Sequence, residues 1–212
     1  MQRERLSLPV RDVSYPAGSL RDLLNGPHVS AATRVALLAR IATSTTTEPR
    51  FFEPSMFATL RCVCVRFVPE AESICAEVAA MIDARLADGT GNGWRFNDMP
   101  SDGDCYRMGL KRIDELSLAL HDAPFALLDG NLQDNMLQEA NHIGSAPSVR
   151  PSGFPARFFE ELLVEVVECA YSHPLMQEHI GYAGMADLPQ WTTLTLDALE
   201  DREPRPLRTS HA

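Results

Sequence analysis

Apolar residues that recur every three or four positions between Pro155 and Pro174 constrain the fold more than any other feature of the chain. They are Phe158, Phe159, Leu162, Leu163, Val166 and Tyr171. Side chains at this spacing share one face of an α-helix, and that face must be buried against another element. Proline is tolerated in the first turn of a helix but cannot continue one, so the two prolines predict where this helix begins and ends.

Helical spacing of apolar residues also predicts the other elements of the chain. Further helices are expected after Ser30, from Pro54 to Pro69, from Glu72 or Ser73 to Gly89, from Ser101 to His121, and from Leu132 to Ala140. No segment alternates apolar and polar residues in the way that a half-buried strand or a hairpin requires. The sequence therefore predicts an all-α protein, an irregular helical bundle of five to six helices with extended N- and C-terminal arms.

The composition of the two ends of the chain sets the predicted domain limits. Residues 1–28 are rich in Pro, Gly and Ser and are expected to form an N-terminal arm. Residues 29–196 form the predicted helical domain, and the charged, proline-containing residues 197–212 form a flexible C-terminal tail. A chain of 212 residues can bury most of its apolar surface, so this fold does not require a disulfide or a structural metal.

The charge of the chain excludes some classes of partner. The formal net charge is -10, and an acidic surface repels phosphate backbones and anionic lipid, so nucleic acid is not an expected partner. No run of eighteen apolar residues occurs, so direct membrane insertion is not expected either. The N-terminal arginines are not followed by the apolar stretch that an export signal needs, which predicts a cytoplasmic protein.

Residues that could bind a metal are present, but they lack the companions that metal sites need. The five cysteines are odd in number and form no zinc-type pair, so they are expected to be small buried hydrophobes. Glu139 and His142 match one half of a di-iron bundle site, but no second Glu-x-x-His pair follows. Four glutamates of the last long helix alternate with its apolar stripe and are expected on a solvated face: Glu160, Glu161, Glu165 and Glu168.

Other candidate residues also favour structural roles. Gly89, Gly91 and Gly93 follow a predicted helix, as a helix stop does and a nucleotide-binding loop does not. His173 is expected to cap the last carbonyls of its helix, and His179 has no partner at a spacing that indicates a catalytic triad. The sequence therefore assigns no catalytic, cofactor-binding or metal-binding residue.

Aromatic residues in predicted loops are more informative. They are Trp94, Phe96, Phe154, Tyr182 and Trp191. Aromatic side chains in loops either fold back on their own core or anchor a protein interface, where Trp, Tyr and Arg are enriched. The residue types alone leave both alternatives open.

Five phrases in a fixed order carry a resemblance to a known family. They are residues 51–70 (FFEPSMFATLRCVCVRFVPE), 74–96 with the pair Ile82 and Asp83, 104–117 (DCYRMGLKRIDELS), 153–174 ending in His-Pro, and 180–191 (IGYAGMADLPQW). Together they span about residues 51–191, and in this order they resemble the gluconate 2-dehydrogenase subunit 3 family. Many members of that family carry a twin-arginine export signal, which this chain does not show.

The resemblance implies a non-catalytic small subunit. Its companion would be a large FAD-binding oxidoreductase of the glucose–methanol–choline type, which removes a hydride from a sugar hydroxyl and passes electrons to an acceptor such as a cytochrome c subunit. The small subunit would hold no cofactor and would stabilise the companion and assist its maturation. Export together with the companion would make the protein periplasmic instead of cytoplasmic.

The resemblance also suggests which residues contact the companion. The proposed aromatic anchors are Trp94, Tyr106, Tyr182 and Trp191, with Arg95 and Arg107 available for polar pairing. Two alternative functions remain at this point: an independent helical metalloprotein with a carboxylate–His centre, and an assembly or export chaperone that dissociates from the mature enzyme.

Overall fold

The computed structural model describes residues 16–41, 48–91, 97, 99–142 and 154–182, and within these ranges the chain is helical without any β-strand. The helices are α1 Ser19–Asn25, α2 Ala31–Ile41, α3 Pro54–Phe67, α4 Cys75–Ala87, α5 Asp102–His121, α6 Gly130–His142, α7 Phe154–Ser172 and α8 Pro174–His179. Two short 3₁₀ turns, Pro69–Ile74 and Phe125–Leu127, lie between them. The predicted all-α class is confirmed.

Most helix limits follow the local signals in the sequence. Pro54 occupies the first turn of α3. The hydroxyl of Ser101 accepts a hydrogen bond from the N–H of Asp104 at 3.4 Å and caps α5, as its position before an acidic residue predicts. The third predicted helix differs, because a 3₁₀ turn runs through Glu72 and α4 begins only at Cys75.

The chain divides into two compact units, and the first combines its two ends. This unit comprises residues 1–42 and 173–212, of which 16–41 and 173–182 are described. Its core holds the buried side chains of α1 and the following turn, packed against half-buried residues of α2: Leu20, Leu23, Leu24, Val29, Leu37, Leu38 and Ile41. Residues 16–28, predicted as part of an arm, therefore form a helix and a turn within a packed unit.

One carboxylate joins the distant segments of the first unit. Glu178, next to the end of α8, accepts hydrogen bonds from the N–H of Gly18 at 3.0 Å and of Leu20 at 2.7 Å. These amides lie at the start of α1, where backbone N–H groups lack partners within the helix and the helix dipole favours a negative charge. Residues 158 or more positions apart are therefore tied directly together.

The second unit, residues 43–172, contains helices α3 to α7. Helices α3 and α7 touch each other, and α4, α5 and α6 each pack against both of them. The side chains between these helices are largely aliphatic and fully or almost fully buried: Leu60, Val63, Val78, Ile82, Leu110, Phe125, Leu162 and Val166. Each such side chain contributes about 1.5–3 kcal/mol by leaving water, so this core supplies most of the driving force for the unit.

A glycine allows α5 and α7 to approach closely. A Cβ atom at Gly109 would lie only 2.1 Å from Cε1 of Phe158, so no other residue fits there without displacing the ring. The same ring packs edge-on against Tyr106, with 5.7 Å between the ring centroids. Close packing between α5 and α7 thus explains why a glycine stands at position 109 in the phrase of residues 104–117.

Among the described helices, none has both the length and the apolar character that spanning a bilayer demands.

Candidate partner-binding surface

A buried carboxylate fixes the segment that precedes α3. Asp83 of α4 accepts hydrogen bonds from three consecutive backbone amides, those of Arg50 at 2.6 Å, Phe51 at 3.0 Å and Phe52 at 3.0 Å. Hydrogen bonds from neutral donors to an ionised acceptor are among the stronger ones in proteins. This segment, which has no regular structure of its own, is therefore held in one conformation.

The fixed segment presents an aromatic ring to α5. The ring of Phe51 packs edge-on against that of Phe52 at 4.9 Å and covers Gly103, where a Cβ would lie 2.8 Å from Cζ of Phe51. The guanidinium carbon of Arg107 lies 3.8 Å from the centroid of the Phe51 ring, in a cation–π contact. Arg107 is half exposed. The structure thus positions a surface guanidinium on the Phe51 ring, and Asp83 in turn fixes the backbone of Phe51.

Three cations lie close together on the exposed side of α5. They are Arg107, Lys111 and Arg112, and Met108 among them is 51% exposed. Their ion pairs are long and within the helix: 3.8 Å from Arg107 to Asp104, and 3.7 Å and 3.5 Å from Lys111 and Arg112 to Glu115. Exposed pairs of this kind contribute little to stability, so the ion pairs of all three cations are weak, and only Arg107 has the additional contact with the Phe51 ring.

The other side of α5 joins a buried ionic network. Glu165 of α7 receives two hydrogen bonds from Arg85 of α4, at 2.5 Å and 2.7 Å, and a third from the hydroxyl of Tyr106. Arg85 also donates to the carbonyl of Thr90 at 2.8 Å and to Asp102 at 3.2 Å. Helices α4, α5 and α7 thus share one charged cluster.

Two of these positions correct the sequence-based expectations. Glu165 is 7% exposed, so it does not belong to a solvated face; it lies three positions after Leu162, on the apolar stripe, and is neutralised there by Arg85. Tyr106 is 4% exposed and its hydroxyl is bound to Glu165, so its ring packs inside the unit and is not an exposed anchor.

The hydroxyl of Tyr106 and the buried thiols keep their protons at neutral pH. Burial, reinforced by the negative charge of Glu165, raises the pKa of the Tyr106 hydroxyl well above its ordinary value. Burial also raises the pKa of Cys75 and of Cys105 to about 11, and that of Cys64 well above 9.0. A protonated thiol is a poor nucleophile and a poor metal ligand, so these cysteines behave as small hydrophobic groups.

Comparison with known proteins gives one match. The model of the family described as Gluconate 2-dehydrogenase subunit 3 matches residues 54–185, which is more than half of the chain. The chain belongs to this family. No curated protein and no solved structure matches it. The part that matches the gluconate 2-dehydrogenase subunit 3 family runs from α3 past α8 and includes the cationic face of α5.

The structure describes only some of the proposed anchors of this subunit 3 chain. Trp94, Arg95 and Trp191 lie outside the described residues. Tyr182 is described and is 52% exposed, with its backbone N–H bound to the carbonyl of Gln177 at 2.8 Å. Arg107 and Tyr182 are therefore the two predicted residues that the structure shows on the surface, one in each unit.

Of the candidate metal pair in the subunit 3 chain, the structure describes the side chain of Glu139 but not that of His142. Glu139 is exposed near the end of α6, which finishes at His142. Within the described ranges, no three His, Cys, Asp or Glu side chains come together in a way that could hold a metal ion. His173 has a capping role that the sequence did not predict: its ring nitrogen accepts from the N–H of Leu175 at 3.2 Å and caps the start of α8.

Proposed function

We propose that this chain is a non-catalytic small subunit that binds, stabilises and assists the maturation of a flavin-dependent sugar or glycoside dehydrogenase. The observation that carries the proposal is the match of residues 54–185 to a family whose description names a subunit of gluconate 2-dehydrogenase. A subunit implies a companion, and we assign that companion to the FAD-binding oxidoreductases of the glucose–methanol–choline type.

The chemistry of the second unit is consistent with a binding role. Asp83 and Glu165, two buried carboxylates, direct their oxygens at backbone amides, Arg85 and Tyr106, all groups of this chain. Such hydrogen bonds hold helices and loops in fixed positions, which is what a protein surface needs in order to recognise another surface. Exposed side chains of α5, and Tyr182, are among those available to a companion.

In the proposed complex, the flavin chemistry belongs to the companion. Its FAD accepts the hydride from a sugar hydroxyl, and the electrons leave through an acceptor such as a cytochrome c subunit. The companion also selects the sugar and determines the compartment in which the complex works. This chain supplies contact area and stability, since a partner that binds only the folded form of a protein raises the stability of that form.

Co-expression tests the proposal. The untagged chain is produced together with a tagged FAD-binding oxidoreductase of the glucose–methanol–choline type from the same genome, and the tagged protein is purified by affinity and gel filtration. We expect this chain to co-elute in a fixed ratio with a flavoprotein that shows the absorbance of bound FAD. Separate elution of the two proteins at micromolar concentration would contradict the proposal.

The same preparation distinguishes the two alternatives. A chaperone that leaves the mature enzyme would be present in the FAD-free fraction and absent from the FAD-loaded one. A metalloprotein would carry iron or manganese in a fixed ratio when this chain is purified by itself and analysed by mass spectrometry of its elements.

A further inference from the structure

We propose that the exposed face of α5 around Met108, formed by Arg107, Lys111 and Arg112, is the surface on which the companion subunit docks. The complementary surface is a carboxylate-rich patch with an apolar centre. This inference rests on the proposed function, because it names the contact surface of the subunit that the proposed function describes.

Charge is the first argument. The chain as a whole carries a net charge of -10, yet this face has three cations within six residues, and in the described part of the chain their ion-pair partners are two carboxylates, Asp104 and Glu115. A cationic face on an acidic protein orients that protein toward an acidic partner and repels the wrong orientation. The overall negative charge opposes a polyphosphate partner such as nucleic acid, which leaves a protein carboxylate patch as the matching surface.

Availability is the second argument. Three other arginines of the second unit form closer ion pairs: 2.6 Å from Arg50 to Asp88, 2.9 Å from Arg66 to Asp134 and 2.5 Å from Arg85 to Glu165. The ion pairs of Arg107, Lys111 and Arg112 are 3.5–3.8 Å long and join residues three or four positions apart on the same helix. Such long exposed pairs are exchanged at small cost for carboxylates of a partner.

Preorganisation of Arg107 is the third argument. Asp83 holds the backbone of Phe51, Gly103 leaves room for the Phe51 ring, and the ring holds the guanidinium at 3.8 Å. An arginine that is already stacked loses less conformational entropy when a carboxylate binds its free edge. This succession of contacts also assigns a role to Asp83, which belongs to one of the phrases that carry the family resemblance.

Met108 provides the apolar centre of the face. It is exposed by half and stands between cations, which matches the usual arrangement of an interface with an apolar centre and a polar rim. The unbranched thioether side chain adapts to irregular surfaces. A partner patch with an aliphatic or aromatic side chain against Met108, and carboxylates around it, would pair with both the apolar and the cationic groups of this face.

The test uses the co-purified flavoprotein as the binding probe and measures its Kd for purified variants of this chain. The variants are Arg107→Gln and the double variant Lys111→Gln/Arg112→Gln. The control is Arg61→Gln, which removes an exposed arginine from α3. Circular dichroism melting curves verify that every variant folds, and each Kd is measured at low and high salt, because salt screens contacts between exposed charges.

We expect Arg107→Gln to weaken binding by about tenfold, because a preorganised arginine next to the apolar centre loses both its charge and its hydrogen bonds to the companion. The double variant should weaken it about three- to tenfold, mainly through slower association and with a smaller salt dependence than the wild type. Arg107→Lys should also bind more weakly than the wild type, because it retains the charge but loses the planar stack on Phe51.

The outcomes separate the two proposals. If the wild type binds the flavoprotein and every α5 variant binds it as tightly at both salt concentrations, the docking surface is wrong and the proposed function stands. If Arg61→Gln weakens binding as much as the α5 variants, the effect is one of general charge and the assignment of this face fails. If the wild-type chain binds no flavoprotein, both proposals are contradicted together.

Discussion

The two units of the molecule are stabilised in different ways. The described part of the first unit has three helices of 7, 11 and 6 residues, and no side chain of α2 is fully buried. The second has an aliphatic core between five helices, together with a buried ionic network centred on Glu165. A small core with a few long-range hydrogen bonds opens at lower free energy than a large one, so we expect the first unit to unfold locally before the second.

The comparison also indicates what each unit contributes to recognition. The second unit presents Arg107 on a scaffold that is fixed from within, by Asp83 and the Phe51 ring. The first presents Tyr182 close to Glu178, whose contacts depend on both ends of the chain being in place. A companion that contacts Tyr182 would therefore stabilise the first unit more than the second, because it binds only the folded form of the first unit.

At alkaline pH the second unit should lose much more stability than the first, because all five cysteines and Tyr106 lie in the second unit. The pKa of Cys75 and of Cys105 rises from 9.0 to about 11 in the folded protein. As the pH rises, the unfolded chain therefore loses these protons before the folded chain does. The stability that the protonated thiols contribute is complete below pH 9.0 and is lost as the pH rises to about 11.

Hydrogen exchange at amides of the second unit, followed in increasing urea at several pH values from 9.0 to about 11, measures this effect. The free energy of unfolding should fall steadily across the window, and less steeply in the variant Cys75→Ala/Cys105→Ala. A free energy of unfolding that stays constant across the window would contradict the role of burial at these thiols.

Removal of Glu165 should have a large effect on stability. In Glu165→Ala, the partly buried guanidinium of Arg85 and the buried hydroxyl of Tyr106 lose their common acceptor, which should cost about 3–5 kcal/mol of stability. The matched control is Glu168→Ala, which removes an exposed carboxylate from the same helix and should change stability by less than about 0.5 kcal/mol. Equal effects of the two substitutions, measured by urea unfolding, would show that the network does not stabilise the second unit.

The close approach of α5 and α7 gives a prediction of intermediate size. Gly109→Ala should destabilise the second unit by about 1–3 kcal/mol, because the new methyl group overlaps the Phe158 ring. In an exposed helix the same change would stabilise the protein by roughly 1 kcal/mol. The sign of the measured change therefore shows whether the Phe158 ring crowds position 109. The double variant Gly109→Ala/Phe158→Leu should recover part of the loss, and a stabilising single substitution would contradict the packing described above.

The smallest effect is expected in the first unit. Glu178→Gln keeps the shape of the side chain but removes the charge that accepts from Gly18 and Leu20, at a cost of about 1 kcal/mol. Hydrogen exchange should show faster exchange at these two amides, with no change at amides of α3 to α7. Asp22→Asn, an exposed change in α1, serves as the control, and a uniform increase over both units would mean that they do not open separately.

Local signals allowed helices α2 to α7 to be predicted, whereas α1 was assigned to an arm and α8 was not predicted; tertiary contacts explain much of what was missed. Pro54, Ser101 and Pro174 act on their own helix ends, so their effects can be read from the neighbouring residues. The burial of Glu165 depends on Arg85, which lies 80 positions away. Its place on the apolar stripe was the one available signal, and a glutamate on such a stripe indicates a buried ion pair.

The predicted interface was accessible to sequence reasoning only in part. Arg107 is a surface residue as predicted, but its support by Phe51 requires the contacts of Asp83 across 32 positions. Tyr106 was assigned to the surface on its residue type, although its neighbour one position later takes that role and Tyr106 faces Phe158. For Trp94, Arg95 and Trp191, a contact with the companion stays a prediction.

The most direct test of the central claim is the amount of FAD-loaded companion recovered with and without this chain. The flavoprotein is expressed alone and together with the chain from the same promoter, and bound FAD and thermal stability are measured on equal amounts of protein. We expect co-expression to raise both the FAD occupancy and the melting temperature of the flavoprotein. Equal occupancy and equal melting temperature in the two preparations would contradict the claim that this chain is its stabilising subunit.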